Sequence, residues 1–349
     1  PGLFLKKGPA MRSTGVRCIL GIGLLTVSIG ASAEGPVTQS REQTLKNFER
    51  VAGPFPQPES PVPLDVKVLG EERLENGVVR RKIAYHTDSN DATISAYLLL
   101  PDMTPGEKRP AVLVCHSTQA AGKLQPAGLA DVPDKHIALH LAKRGYVAIA
   151  PDYPSFGEAK DYDFTADNYQ SGAMKAIYDN IRSVDLLCSL PEVDDDRIGA
   201  IGHSLGGHTV IFAAVYDERI DAVVSNCGFT RFHRYYGGDL TGWTSERYFP
   251  RIASEFDKNP DKMPFDFPDL IAALAPRAFL ASSPLHDDNF DVRGVKETIA
   301  AARPAYERLG AADKLRANYP DCEHAFPDDV RKVAYEFLDE QLGHVAREK

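Results

Sequence analysis

The chain has 349 residues, 43% of them hydrophobic and 26% charged, which suits one large α/β domain with extensions better than two equal domains. Its formal net charge is −9, and residues 1–33 hold four bases and no acid, leaving 36 basic against 49 acidic side chains in the remainder. That balance argues against nucleic acid or an anionic membrane surface as a partner.

Residues 1–33 read as upstream residues followed by a signal peptide. Met11 is the natural start, Arg12 and Arg17 precede an apolar run at 18–30, and Ala31-Ser32-Ala33 supplies small residues before Glu34. Cleavage near Ala33 would deliver the protein to the periplasm or outside the cell, with no stable membrane insertion afterwards. Residues 34–63 are polar, with prolines at 54, 56, 58, 61 and 63; they predict a short helix over 42–51 and then an extended arm. A catalytic domain over 64–345 follows.

Strands are predicted at 66–75, 78–86 and 92–100, the first two joined by the tight turn Glu75-Asn76-Gly77. From residue 111 onward strands and helices alternate. Strands are expected at 111–115, 146–150, 198–201, 222–225, 278–282 and 314–319, and helices at 132–144, 168–190, 208–216, 292–309 and 328–342. Alternation of this kind predicts a mostly parallel sheet covered on both faces, with its ligand at the carboxyl ends of the strands.

The stretch organising the rest is Arg197–Gly207, where an apolar strand runs into Gly202-His203-Ser204-Leu205-Gly206 and then a helix. G-x-S-x-G between a strand and a helix describes a sharp turn that lifts a serine hydroxyl clear of the sheet. Glycine is expected two positions either side because no side chain fits there. The Leu205 amide is left free at a helix N-terminus, where it can hold an oxyanion.

A serine hydroxyl needs a base within hydrogen-bond reach and an acid to orient that base. The loop after the 278–282 strand carries Asp287, Asp288 and Asp291. Asp287 is the first choice as acid and Asp288 the second, with Asp291 expected to cap the next helix. The loop after the last strand carries His324, the candidate base. His203 and His208 lie too near Ser204 in the chain to serve and read as packing residues. The loop after the 111–115 strand, His116-Ser117-Thr118-Gln119, should supply the second oxyanion donor from the Thr118 amide, with Ser117 as the alternative and His116 holding the loop.

Between the 222–225 strand and a helix at Asp269 lies an aromatic-rich insert, 227–267, read as a lid or pocket wall over Ser204. From it Phe229, Tyr236 and Trp243, together with Tyr153 of the 151–158 loop, are the candidate substrate contacts. Cys115, Cys188, Cys227 and Cys322 fit no zinc spacing and are expected to be free thiols. No metal or organic cofactor is implied.

Together the motifs G-H-S-L-G-G, D-D-N-F and E-H-A-F-P, over about residues 64–342, resemble the α/β-hydrolase superfamily, and most closely its dienelactone-hydrolase-like and prolyl-oligopeptidase-like branch, which includes acetylxylan esterases. The resemblance implies an eight-stranded, mostly parallel sheet and a serine triad. Dienelactone hydrolases proper carry cysteine where this chain has Ser204, and fewer than about 80 residues precede the first core strand, too few for the propeller of prolyl oligopeptidases.

The expectation is a serine hydrolase that cleaves carboxylic esters, on acylated carbohydrate or small aromatic esters, with Ser204, His324 and Asp287 as the triad and the Thr118 and Leu205 amides as the oxyanion hole. A serine peptidase or amidase shares this chemistry and is the alternative. A non-catalytic binding protein on the same fold is the remaining possibility.

Overall fold

In chain order the strands are β1 (Lys67–Arg73), β2 (Val79–His86), β3 (Thr93–Leu100), β4 (Arg109–Cys115), β5 (Val147–Pro151), β6 (Val193–His203), β7 (Ile220–Asn226), β8 (Ala278–Ser282) and β9 (Leu315–Asn318). The helices are α1 (Arg41–Ala52), α2 (Ile137–Arg144), α3 (Gly172–Ser189), α4 (Leu205–Tyr216), α5 (Arg251–Ser254), α6 (Phe267–Leu274), α7 (Val292–Arg308) and α8 (Asp328–Gln341). The computed structural model describes residues 37, 39–56, 62–88, 93–166 and 168–346. The signal-segment reading of residues 1–33 lies outside them. Among the described residues no helix is long and apolar enough to cross a membrane.

The strands form one mixed sheet in the order β1-β2-β3-β5-β4-β6-β7-β8-β9. The pairs from β5 through β4, β6, β7 and β8 to β9 are parallel, and β1, β2 and β3 are antiparallel to their neighbours. Among the described residues the sheet has nine strands, one more than the resemblance implied. The outermost, β1, is exposed along its whole length. It carries charge on its free edge, and Glu71 and Glu72 reach across to Arg81 and Arg80 of β2 at 2.6 Å each. Charge on an edge strand discourages pairing with another chain.

The central strands are apolar on both faces because helices cover both. Alternate residues feed two cores. Ala111, Leu113 and Cys115 of β4 join α1, α3, α4, α6 and α7 on one face, while Val112 and Val114 join α2 and α8 on the other. Helix α4 is buried nearly all round, as its run of apolar residues requires of a helix inside the core. Helix α1 is capped by the Ser40 hydroxyl, which accepts from the Gln43 amide. Its Phe48 ring packs within 5.6 Å of Phe212 of α4 and of Phe249 and Phe265 from the insert.

Helix starts differ from expectation where local capping intervenes. Helix α2 begins at Ile137 because Pro133–Lys135 forms its own tight turn. Helix α3 begins at Gly172, after Ser171 accepts from the Met174 amide. The aromatic insert is no loose flap. Phe229, Phe232, Tyr235, Trp243 and Phe249 all belong to the principal core, held in short turns at Phe232–Gly237 and Leu240–Trp243.

Candidate active site

The turn after β6 has the predicted geometry. Ser204 sits at φ 56°, ψ −117°, a backbone conformation that L-residues rarely adopt, and its amide donates to the Asn226 carbonyl at 2.9 Å. The flanking glycines are required by close approach. A Cβ on Gly202 would strike the Gly206 carbonyl and lie 2.8 Å from the Gly206 Cα; one on Gly206 would strike the Cys115 carbonyl, at 2.6 Å from its carbon. The Leu205 amide opens α4, so it is among the N–H groups without an intrahelical acceptor. Among the described residues the Ser204 hydroxyl makes no hydrogen bond.

The loop after β8 brings Asp287 to His324. His324 Nδ1 lies 2.9 and 3.0 Å from the two carboxylate oxygens, and the Asp287 side chain is 1% exposed. Asp287 Oδ1 also accepts from the Asn289 and Phe290 amides at 2.9 Å each. A buried carboxylate accepts only, so Nδ1 carries the proton and Nε2 of His324 is left as the basic nitrogen. Asp288 is exposed, so the choice between the two acids falls to Asp287. Asp291 caps α7 through the Arg293 amide, as expected.

Three further histidines are held neutral and fixed. His116 Nδ1 donates to the Ser117 carbonyl at 2.7 Å while its Nε2 accepts from the Tyr153 amide at 3.0 Å. Burial lowers its pKa. His203 Nδ1 accepts from the Asn226 side-chain amide at 2.7 Å, and its ring lies 4.9 Å from that of His324. Burial, then Lys135 and His324, push its pKa well down. His208 Nδ1 donates to the Gly228 carbonyl at 3.0 Å, and burial pushes its pKa down to about 4. All three hold loops or pack, as their sequence positions suggested.

The loop that carries Thr118 is anchored from below. The Ser117 amide and hydroxyl both donate to the Gln125 side-chain carbonyl, at 3.4 and 2.6 Å, so the alternative amide already has an acceptor. Lys123, 1% exposed, pairs with Asp152, also 1% exposed, and reaches Glu158 at 3.0 Å. The Tyr248 hydroxyl faces Thr118 and Arg247, both of which lower a phenol pKa that burial raises. The Tyr153, Phe156 and Leu205 side chains cluster with Tyr248. The side of the elbow that holds the Leu205 amide is therefore walled by aromatic rings.

The four candidate substrate contacts separate. Tyr153 is 7% exposed, and its hydroxyl donates to the Arg247 carbonyl at 2.7 Å. Trp243 packs its ring 4.8 Å from His208. Tyr236 is 61% exposed and donates to Asn289 at 3.0 Å, beside the Asp287 loop. Phe229 corrects the reading: it is fully buried between Phe267 and Phe279, at ring distances of 5.1 and 6.2 Å, and supports the core rather than a substrate.

Sequence reasoning passed over Asn226, Cys227, Lys123 and Tyr248. Asn226 directly follows the strand expected at 222–225, beside the elbow strand, and that position at the carboxyl edge was the available signal. Cys227, Asp287 and His324 offer ligand atoms within 4.8 Å of one another. Burial and the Asp287 charge hold the Cys227 thiol protonated, and two backbone amides already occupy Asp287 Oδ1. These groups read as a hydrogen-bonded acid–base cluster rather than a metal centre. Cys115, Cys188, Cys227 and Cys322 are free thiols.

Residues 94–236 match the family model of the Dienelactone hydrolase family. YtaP of Bacillus subtilis (strain 168), which carries a provisional hydrolase description, is 26% identical over 315 residues, 86% of this chain and 100% of its own. Dipeptidyl-peptidase 5 of Porphyromonas gingivalis is 30% identical over 150 residues, 42% of this chain but only 21% of the peptidase. Among solved structures, a glucuronoyl esterase from Solibacter usitatus superposes with a TM-score of 0.69 at 20% identity, covering 87% of this chain and 92% of that one.

Proposed function

We propose that this α/β-hydrolase of the dienelactone-hydrolase-like branch cleaves carboxylic esters through an acyl-enzyme. The observation that carries the reading is the 2.9 Å bond between His324 Nδ1 and the buried Asp287, made at the same strand-end edge as the strained Ser204. Ser204 Oγ attacks the ester carbonyl carbon and passes its proton to His324 Nε2. The carbonyl oxygen becomes an oxyanion held by the Leu205 and Thr118 amides. Collapse breaks the bond to the alcohol, which leaves with the proton from His324. Water then attacks the acyl-enzyme with His324 again as base, releasing the carboxylic acid and restoring Ser204. Asp287 keeps the imidazole in the Nδ1–H tautomer and stabilises its charged form.

A carbohydrate ester is the favoured natural substrate. The overall likeness to the Solibacter usitatus glucuronoyl esterase supports this, as does the aromatic wall of Tyr153, Tyr248 and Trp243, which suits a sugar or aryl face. Export by residues 1–33 is part of the same proposal and fits a polymeric substrate outside the cell. The 30% identity with dipeptidyl-peptidase 5 over 150 residues keeps a peptidase as the second reading.

The test pairs p-nitrophenyl acetate, butyrate and octanoate with aminoacyl p-nitroanilides, using Ser204→Ala as control. Ester turnover that vanishes in the variant, without anilide turnover, supports the esterase. Anilide turnover of comparable efficiency supports the peptidase. Turnover that survives Ser204→Ala overturns both.

A further inference from the structure

The dipeptide that ends β7 touches all three catalytic segments. The Asn226 carbonyl accepts the Ser204 amide at 2.9 Å. The Asn226 side-chain amide donates to the Ala325 carbonyl, the peptide next to His324, at 3.0 Å and to His203 Nδ1 at 2.7 Å. The neighbouring Cys227 thiol also reaches the Ala325 carbonyl, at 3.5 Å, and its sulfur lies within 4.8 Å of both Asp287 and His324. The Cys227 amide donates to the Ser282 carbonyl at 2.9 Å, at the end of the strand that leads to Asp287.

Both side chains are fully buried, so no bulk water replaces these bonds. The Ala325 carbonyl can only accept, and this fixes Nδ2 rather than Oδ1 of Asn226 towards the His324 loop. Cys227 stands at φ 49°, an unfavourable conformation for a residue with a side chain. Strain of that kind persists where surrounding contacts over-determine the backbone. Here they are the bonds to β8 and to the His324 loop.

We propose that Asn226 and Cys227 are positioning residues of the triad: they clamp the His324 loop to the Ser204 turn and close the buried side of the Asp287–His324 pair. Without the clamp, among the described residues, the loop 320–327 keeps its bonds to the β8 loop, where the Leu285 and His286 amides donate to the Pro320 and Cys322 carbonyls at 2.9 and 3.1 Å, but meets the elbow by packing alone, and the imidazole loses its register against Ser204. A residue acting through position lowers kcat and leaves KM alone, because substrate touches neither side chain. The inference rests on the triad reading above.

The variants are Asn226→Leu, Cys227→Ala and Cys227→Ser, with Asp287→Ala and His324→Ala as controls. Asn226→Leu is expected to lower kcat for p-nitrophenyl acetate by about thirtyfold at unchanged KM, in keeping with the loss of a buried hydrogen bond that orients a catalytic group. Cys227→Ala should lower it about fivefold, and Cys227→Ser, which keeps a donor, should recover most of the loss. The acidic limb of the kcat/KM profile should move with them. The groups facing His324 and Cys227 are Asp287, His203, Lys135 and Cys322, and all remain in place in these variants. A second readout needs no turnover. The downfield proton resonance of His324 Nδ1–H, identified by its loss in Asp287→Ala, should shift or broaden in Asn226→Leu and Cys227→Ala and hold in Cys227→Ser. Wild-type kcat and an unmoved resonance in Asn226→Leu and Cys227→Ala, while Asp287→Ala and His324→Ala are inactive, overturn the positioning role alone. Should Asn226→Leu fail to fold, equal rates and resonances in the two Cys227 variants and the wild type decide against it. Full activity in His324→Ala overturns the triad itself.

Discussion

Gly206→Ala tests the tightest crossing in the site. The new Cβ would strike the Cys115 carbonyl oxygen and lie 2.6 Å from its carbon and 2.9 Å from the His116 carbonyl oxygen. Real Cβ atoms essentially never come within 3.0 Å of such neighbours. All of these atoms are backbone, at the end of the central strand β4 and the start of the loop that carries Thr118. Neither side can rotate away, so α4 and the β4 end must separate by several tenths of an ångström or more. Overpacking of this kind costs about 3 kcal/mol, and in a domain of this size that lowers Tm by about 5 °C. The same separation moves the Leu205 amide away from the Thr118 amide, and a misplacement approaching an ångström costs on the order of a hundredfold in rate. Gly199→Ala, on β6, is the control. Its Cβ meets only the ends of the Leu342 and Leu338 side chains, at 3.0 and 3.2 Å. These can turn aside, so the change should stay within about 1 kcal/mol and leave turnover intact. The assay is p-nitrophenyl acetate kinetics beside thermal unfolding. Wild-type kcat/KM and Tm in Gly206→Ala would refute the claim that this crossing holds the two amides proposed as oxyanion donors in place.

Lys123→Met should lower stability by about 3–5 kcal/mol, because it strands the buried Asp152 carboxylate, and urea unfolding measures it. The same variant should lose turnover, since the Thr118 loop loses its anchor; a stable, fully active Lys123→Met would show the pair to be dispensable. His208→Asn should flatten the fall in stability on acidification. The His208 pKa is about 4 in the folded protein against an ordinary value near 6.5, so the unfolded chain binds the extra proton first. Stability from this group is complete above about pH 6.5 and is lost as pH falls towards 4, by about 3 kcal/mol in all. Asp266 is shifted the other way, up to about 6 by burial, and opposes part of that slope, so the comparison of variant with wild type isolates His208. Phe229→Ala should cost about 3–5 kcal/mol by cavity formation with KM unchanged, and Tyr236→Phe should leave Tm unmoved; a KM effect confined to Phe229→Ala would reverse these assignments.

Much of the fold could be read from the chain because its signals are local. The apolar runs of β4 to β8 and the Glu75-Asn76-Gly77 turn need no long-range information, and strand β8 falls on the predicted residues 278–282. The Ser204 turn was legible for the same reason: one peptide geometry demands glycine at two fixed offsets. Asp287 and His324 were legible as positions, since each occupies the first loop after a strand in the expected order. Which carboxylate faces the imidazole depends on side-chain direction in that loop, and only the bond between His324 and Asp287 separates it from Asp288.

The reading of Phe229 as a substrate contact fails for a physical reason that bears on the rest of the aromatic insert. An aromatic residue in a long segment between strand and helix has the same local signature whether it lines a pocket or fills a core. What divides the two is the helix it meets. Helix α4 is apolar on nearly every face, so the side turned away from the sheet needs a cover beyond the one that α3 and α6 supply. The insert and α1 provide it: Phe48 and Phe249 pack their rings against Phe212, and Phe265 packs on Phe48. An apolar helix following a G-x-S-x-G turn therefore predicts an apolar layer over it, and the longest aromatic segment in the chain is the one able to form that layer. Residues at the margin of such a layer, where Trp243 and Tyr248 meet His208 one turn below Ser204, lie near enough to the proposed nucleophile to shape its substrate.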